Sequence, residues 1–181
     1  VYFIFCFLCF SCKSTNYSKE TYLYGYNESI LMKIKKIKYS KACFYSFNID
    51  SSISLEGDPV EIKLVDSNGV LTTNSFYLKC MDLNKKQSDQ LITTITKKKF
   101  YDYNGFRYEV GCLDPNFGVV FYNSTNKVIC HIDISIDCKR ILVELFSFPM
   151  ERGEIIFYPN GEKTIKEYLK DNDLALWNSS L

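Results

Sequence analysis

Apolar and polar positions divide the chain into a short apolar head, a polar and aromatic stretch, and a long body of alternating and helical patterns. In the body, residues 30–47 are rich in Lys and β-formers and predict one or two strands. Ile30, Leu31, Ile34 and Ile37 also fit a helical stripe, so a short helix is the other reading. Glu61-Ile62-Lys63-Leu64-Val65 alternates, Asp66-Ser67-Asn68-Gly69 carries the Asn-Gly turn signal, and 70–80 predicts the returning strand. Leu91, Ile92 and Ile95 share one helical stripe, which predicts a central helix over about 85–97. Strands are predicted over 106–110, 118–122, 127–136, 141–146 and 154–158, with a hairpin turn at Asn123-Ser124-Thr125-Asn126. Pro159-Asn160-Gly161 turns the chain into a C-terminal helix over about 161–170, where Ile165 and Leu169 lie one turn apart. The expected fold is α+β: a mostly antiparallel sheet with a central and a C-terminal helix, in one domain over 30–181.

The head, residues 1–11, reads VYFIFCFLCFS and carries no charge. A bilayer-spanning helix needs roughly 20 such residues. This run is too short to span but fits the apolar region of a secretory signal, with a basic segment expected upstream of Val1. Ser11 and Cys12 follow, then the polar run Lys13-Ser14-Thr15-Asn16. An apolar run, a small residue, a cysteine and a polar linker together resemble the signal and lipobox of bacterial lipoproteins. The resemblance implies cleavage before Cys12 and lipidation of Cys12, where several acyl chains give stable anchoring. Cys9 stands where the commonest pattern has Leu. A secretory signal without lipid and a buried N-terminal strand are the competing readings.

Residues 12–29, with Tyr17, Tyr22, Tyr24 and Tyr26, read as anchor and tether. No acid occurs in 13–19, which tilts the expected location toward the periplasmic side over the cell surface. Sequons at Asn16, Asn27, Asn123 and Asn178 matter only for a eukaryotic secreted protein.

In 127–138, Val128, Cys130, Ile132, Ile134, Ile136 and Cys138 alternate with Lys127, His131, Asp133, Ser135 and Asp137. One face is expected in the core and the other in solvent or a groove. His131 is the only histidine, and Asp133 and Ser135 beside it suggest a catalytic triad. Neighbours two apart on a strand are separated by roughly 6.6 Å along the chain, whereas nucleophile and base need about 2.6–3.2 Å. A direct relay within the strand therefore fails, and a hydrolase would need a distant acid such as Asp102, Glu109 or Asp114. The stretch is read as a polar strand face, and no catalytic residue is assigned.

Composition narrows the classes further. Apolar residues make up 46% and charged residues 24%, with a net charge of +1, so no basic footprint for nucleic acid is present. Of eight cysteines, Cys6 and Cys9 leave with the signal and Cys12 carries lipid. Cys43, Cys80, Cys112, Cys130 and Cys138 remain. Five is odd, so at least one thiol stays free or pairs between chains. No Cys-x-x-Cys remains behind Cys12, which removes the thioredoxin-like motif and the standard zinc spacing. No metal and no cofactor are expected.

Gly111-Cys112-Leu113-Asp114-Pro115-Asn116-Phe117-Gly118-Val119-Val120-Phe121-Tyr122, followed by a strand ending Ile134-Ser135-Ile136-Asp137-Cys138, resembles a group of uncharacterised Bacteroidetes lipoproteins. That group has Cys-x-x-Pro-x-His, an apolar strand ending Phe-Tyr, a hairpin, and a strand ending Cys-x-x-Cys. Cys112, Pro115, Phe121, Tyr122 and Cys138 match. Phe117 stands in place of the group's His, and Ser135 in place of the first Cys of the closing pair. The group's three thiols and imidazole suit a soft metal or redox chemistry. The two thiols left here imply a Cys112–Cys138 disulfide or a vestigial site.

The expected function is an exported envelope protein, anchored to a membrane by its N-terminal lipid, acting as a non-enzymatic binding or structural module with a protein partner. The alternatives are a hydrolase or thiol-dependent enzyme using His131 or the Cys112/Cys138 pair, and a degenerate metal-binding domain.

Overall fold

A computed structural model describes residues 28–47, 64–72, 80–97, 115–146, 150–157, 159–174 and 176. Cys12, Cys112 and the strand expected over 106–110 lie outside them. Three helices and six strands are described: α1 (Glu28–Lys35), β1 (Lys41–Ser46), β2 (Met81–Leu83), α2 (Lys85–Ile95), β3 (Phe117–Tyr122), β4 (Val128–Ser135), β5 (Arg140–Leu145), β6 (Glu151–Ile156) and α3 (Pro159–Asp171). The strands form one sheet in the order β2-β1-β3-β4-β5-β6, every neighbouring pair antiparallel. The fold is α+β, with a helix in the middle of the chain and one near its C-terminus. Of the two readings of 30–47, both apply in turn: the Ile30, Leu31, Ile34 stripe forms α1, and the strand begins at Lys41.

The helices cover one face of the sheet. Ile30, Leu31 and Ile34 of α1, Leu91, Ile92 and Ile95 of α2, and Ile165, Tyr168 and Leu169 of α3 share a core with Phe44, Phe117, Val119, Phe121, Ile132, Ile134, Ile141, Val143 and Ile155. Burial of these side chains removes apolar surface from water and is the main favourable term. Gly153 on β6 admits α1: a Cβ there would stand 2.6 Å from Ile30 Cδ1. At the start of α2, Asn84 Oδ1 accepts from Gln87 N and Gln87 Oε1 accepts from Asn84 N, each at 2.9 Å, closing a capping box.

A turn and a bulge set the geometry of β4. Asn123 Oδ1 accepts from Thr125 N, Thr125 Oγ1 and Lys127 N, and Asn126 takes φ 58° to close the β3–β4 hairpin. The register then slips between Phe121 and Tyr122: Phe121 pairs with Cys130, but Tyr122 pairs with Val128. Val128 is expected on the face of Cys130 and Ile132. The bulge instead turns it to the opposite side, where it packs with Val120 and Tyr122.

Candidate functional site

The second face of the sheet carries most of the residues capable of chemistry. Cys43 and Tyr45 on β1, Gly118, Val120 and Tyr122 on β3, and His131, Asp133 and Ser135 on β4 share it. Glu144 on β5 lies directly across from His131 in register and also opposite Arg152 on β6. Phe47, Leu64 and Val65 form a second apolar cluster over this face with Cys43, Tyr45 and Val120, joined at its margin by Leu71 and Phe146. The 64–72 segment holds its shape through the Val65–Leu71 bridge and a tight turn. In that turn Asp66 Oδ1 accepts from Asn68 N and Val70 N, and Gly69 takes φ 76°.

This cover changes the reading of β4. The face of His131, Asp133 and Ser135 is expected to meet solvent or a groove, and it is buried: His131 is 0%, Asp133 4% and Ser135 5% exposed. Alternation reports which residues share a face, but not whether that face is wet. His131 Nε2 lies 3.3 Å from Asp133 Oδ2, an ion pair whenever the ring is protonated. The two side chains lean together although their backbone positions are two residues apart. The Phe146 ring stacks obliquely on the imidazole, with centroids 5.8 Å apart.

Asp133 is accommodated from the opposite strand. Gly118 pairs with it in register, and a Cβ on Gly118 would stand 2.6 Å from Asp133 Oδ1 and 2.9 Å from Leu64 Cδ2. Glycine at 118 leaves the volume that the carboxylate and Leu64 fill. The buried Glu144 meets Arg152 Nε at 3.4 Å. Ser135 stays apart from His131, its Oγ accepting from Cys138 N at 3.2 Å inside the β4–β5 turn. Asn116 fixes the same end, donating from Nδ2 to Asp137 Oδ2 and accepting at its backbone carbonyl from Phe47 N. A hydroxyl committed to a turn and an imidazole closed off from solvent do not assemble a nucleophile and base facing a substrate.

A second constellation, which the sequence reading missed, lies where β1 meets β2. Cys43 pairs in register with Asp82. Cys43 Sγ donates to Asp82 Oδ1 at 3.2 Å, and Cys80 Sγ lies 3.6 Å from the same oxygen. Lys41 Nζ reaches it at 3.0 Å. The three ligand-type atoms of Cys43, Cys80 and Asp82 lie within 4.8 Å of one another. Cys43 is buried, Cys80 half-buried and Asp82 exposed. Burial, then the hydrogen bonds to Cys80 and Asp82, push the Cys43 thiol well above its ordinary range. The bond from Lys41, followed by that from Cys43, holds the Asp82 carboxyl below its own. Tyr45 and Tyr122 flank the group with their hydroxyls 3.2 Å apart. The only signals in the sequence are two spaced pairs, Lys41-x-Cys43 and Cys80-x-Asp82, each lying on one strand face.

Cys138 is disulfide-bonded, while Cys43, Cys80 and Cys130 are free thiols. The partner of Cys138 therefore lies outside the described residues. Among the described residues no helix is long and apolar enough to cross a membrane. The chain matches no family model, no curated protein and no solved structure.

Proposed function

We propose that the protein is an exported envelope module, anchored to a membrane through lipid on Cys12, whose domain binds or supports a partner rather than catalysing a reaction. Burial of the His131–Asp133 pair, at 0% and 4% exposure, carries this reading. The one histidine and its acid serve the packing of the sheet, and no substrate reaches a base that water does not reach. Export is supported by the uncharged run before Cys12 and by the bonded state of Cys138, since disulfides persist in oxidising compartments.

With Cys43, Cys80 and Cys130 free, the resemblance to the lipoprotein group makes Cys112 the proposed partner of Cys138. Radioactive fatty acid fed to the native host should label the wild-type chain and leave Cys12→Ala unlabelled. Equal labelling of both would remove the anchor from the proposal.

A further inference from the structure

We propose that Cys43, Cys80 and Asp82 form a zinc site at the β1–β2 edge of the sheet, with the fourth position open to water or to a donor from a partner. The inference rests on these side chains alone and stands whether or not Cys12 carries lipid.

The geometry fits the ion. With Zn–S about 2.3 Å and Zn–O about 2.0–2.2 Å, tetrahedral angles put sulfur and oxygen ligands about 3.5 Å apart. The two sulfurs lie 3.2 and 3.6 Å from Asp82 Oδ1, so little movement is needed to place a cation between them. The donor set is right for zinc in kind, two soft thiolates and one carboxylate.

The charges also fit. Two thiolates and a carboxylate around a divalent ion leave one net negative charge, and the Lys41 ammonium already sits at that carboxylate, 3.0 Å from Oδ1. Lys41 is thus placed as the counter-ion of the loaded centre. Loading breaks two S–H bonds and forms two S–Zn bonds, two protons go to solvent, and no electrons move. Among the described residues, the ionisable groups facing the thiols are Lys41 and Tyr45 on β1, Asp82 on β2 and Tyr122 on β3. Because loading releases two protons, occupancy falls as pH drops.

Geometry also separates a metal site from a disulfide. Cys43 lies opposite Asp82, so Cys80, two residues earlier, is its diagonal neighbour. Diagonal positions in an antiparallel pair have Cα atoms about 7–8 Å apart. A disulfide needs about 4.4–6.8 Å, and a wider pair closes only if the backbone moves. Both thiols are free, and the two sulfurs converge on a shared oxygen.

The test uses the full chain in detergent, stripped with chelator under mild conditions and titrated with Co²⁺ as a spectroscopic stand-in, followed by displacement with Zn²⁺. The expected result is a thiolate-to-cobalt charge-transfer band saturating at about one ion per chain, and release of about two protons per ion. Cys80→Ser should abolish the band. Asp82→Asn, at an exposed position, should weaken binding by at least about tenfold. Zn²⁺ should raise the melting temperature of the wild type and not that of Cys80→Ser. Absence of the band would overturn the proposal, as would equal binding by all three proteins. So would a Cys43–Cys80 disulfide found by peptide mapping of the unreduced native chain.

Discussion

The two faces of the sheet are both buried, but by different means. On the helical face, Phe117, Val119, Phe121, Ile132, Ile134 and Val143 meet α1, α2 and α3, and the core is almost wholly apolar. On the other face, His131, Asp133 and Glu144 are as inaccessible as those aliphatics, yet each carries a group that water would solvate. Burying such groups is costly unless they are paired. His131 meets Asp133 and Glu144 meets Arg152, both within 3.4 Å. The comparison teaches that polar residues on a strand do not by themselves mark an exposed or catalytic face. They can also lie on a face that a distant segment of the chain covers.

The two faces should fail in different ways. The largest effect is expected on the helical face. Phe121→Ala removes a ring that is 0% exposed and edge-on to Tyr39, and should cost about 3–5 kcal/mol in denaturant unfolding. On the polar face, Asp133→Ala removes a buried carboxylate beside the imidazole and should cost less, about 1–3 kcal/mol. Here, unlike on the helical face, the loss should couple to a glycine on the facing strand. Gly118→Ala is harmful in the wild type because its Cβ would meet the Asp133 carboxylate at 2.6 Å. In the Asp133→Ala background that clash is gone and only Leu64 must shift. A double-mutant cycle should return a coupling of about 0.5–3 kcal/mol; additivity within error would separate the two residues and weaken the comparison.

Titration gives a smaller effect. Burial raises the Cys130 thiol well above its ordinary value of 9.0. A raised folded value means that its stabilising contribution is complete below about pH 9 and is lost as pH rises. Stability should then fall by up to about 1.4 kcal/mol per pH unit for each such thiol. Cys130→Val should make the alkaline fall shallower, measured by urea midpoints between about pH 8 and 10.5. The smallest effect belongs to a residue that serves neither face. Asn84→Ala opens the capping box of α2 and should cost about 1 kcal/mol.

Much of this architecture was legible in the sequence. The Leu91, Ile92, Ile95 stripe and the Ile165, Leu169 spacing located α2 and α3, and the alternation through Ile132 and Ile134 located the core side of β4. Three things were not legible, each for a physical reason. The fate of Val128 depends on a bulge, and a one-residue slip sends a side chain to the other face without any change in local pattern. The dryness of the His131 face depends on a segment more than fifty residues away, Leu64 to Leu71, folding over it. The Cys43, Cys80, Asp82 cluster depends on register between two strands separated by a long stretch of chain, and no contiguous motif records it. Pairing geometry, unlike periodicity, is a property of two segments at once.

The central claim, that the single histidine is sealed in the sheet as a packing element, has a direct test. Diethyl pyrocarbonate modification, mapped by peptide mass spectrometry, reads His131 without interference from any other imidazole, because the chain contains one histidine. The account predicts that His131 stays unmodified in the folded protein while exposed lysines react, and becomes modified only when denaturant unfolds the chain. Rapid, complete modification of His131 in the native state would contradict it.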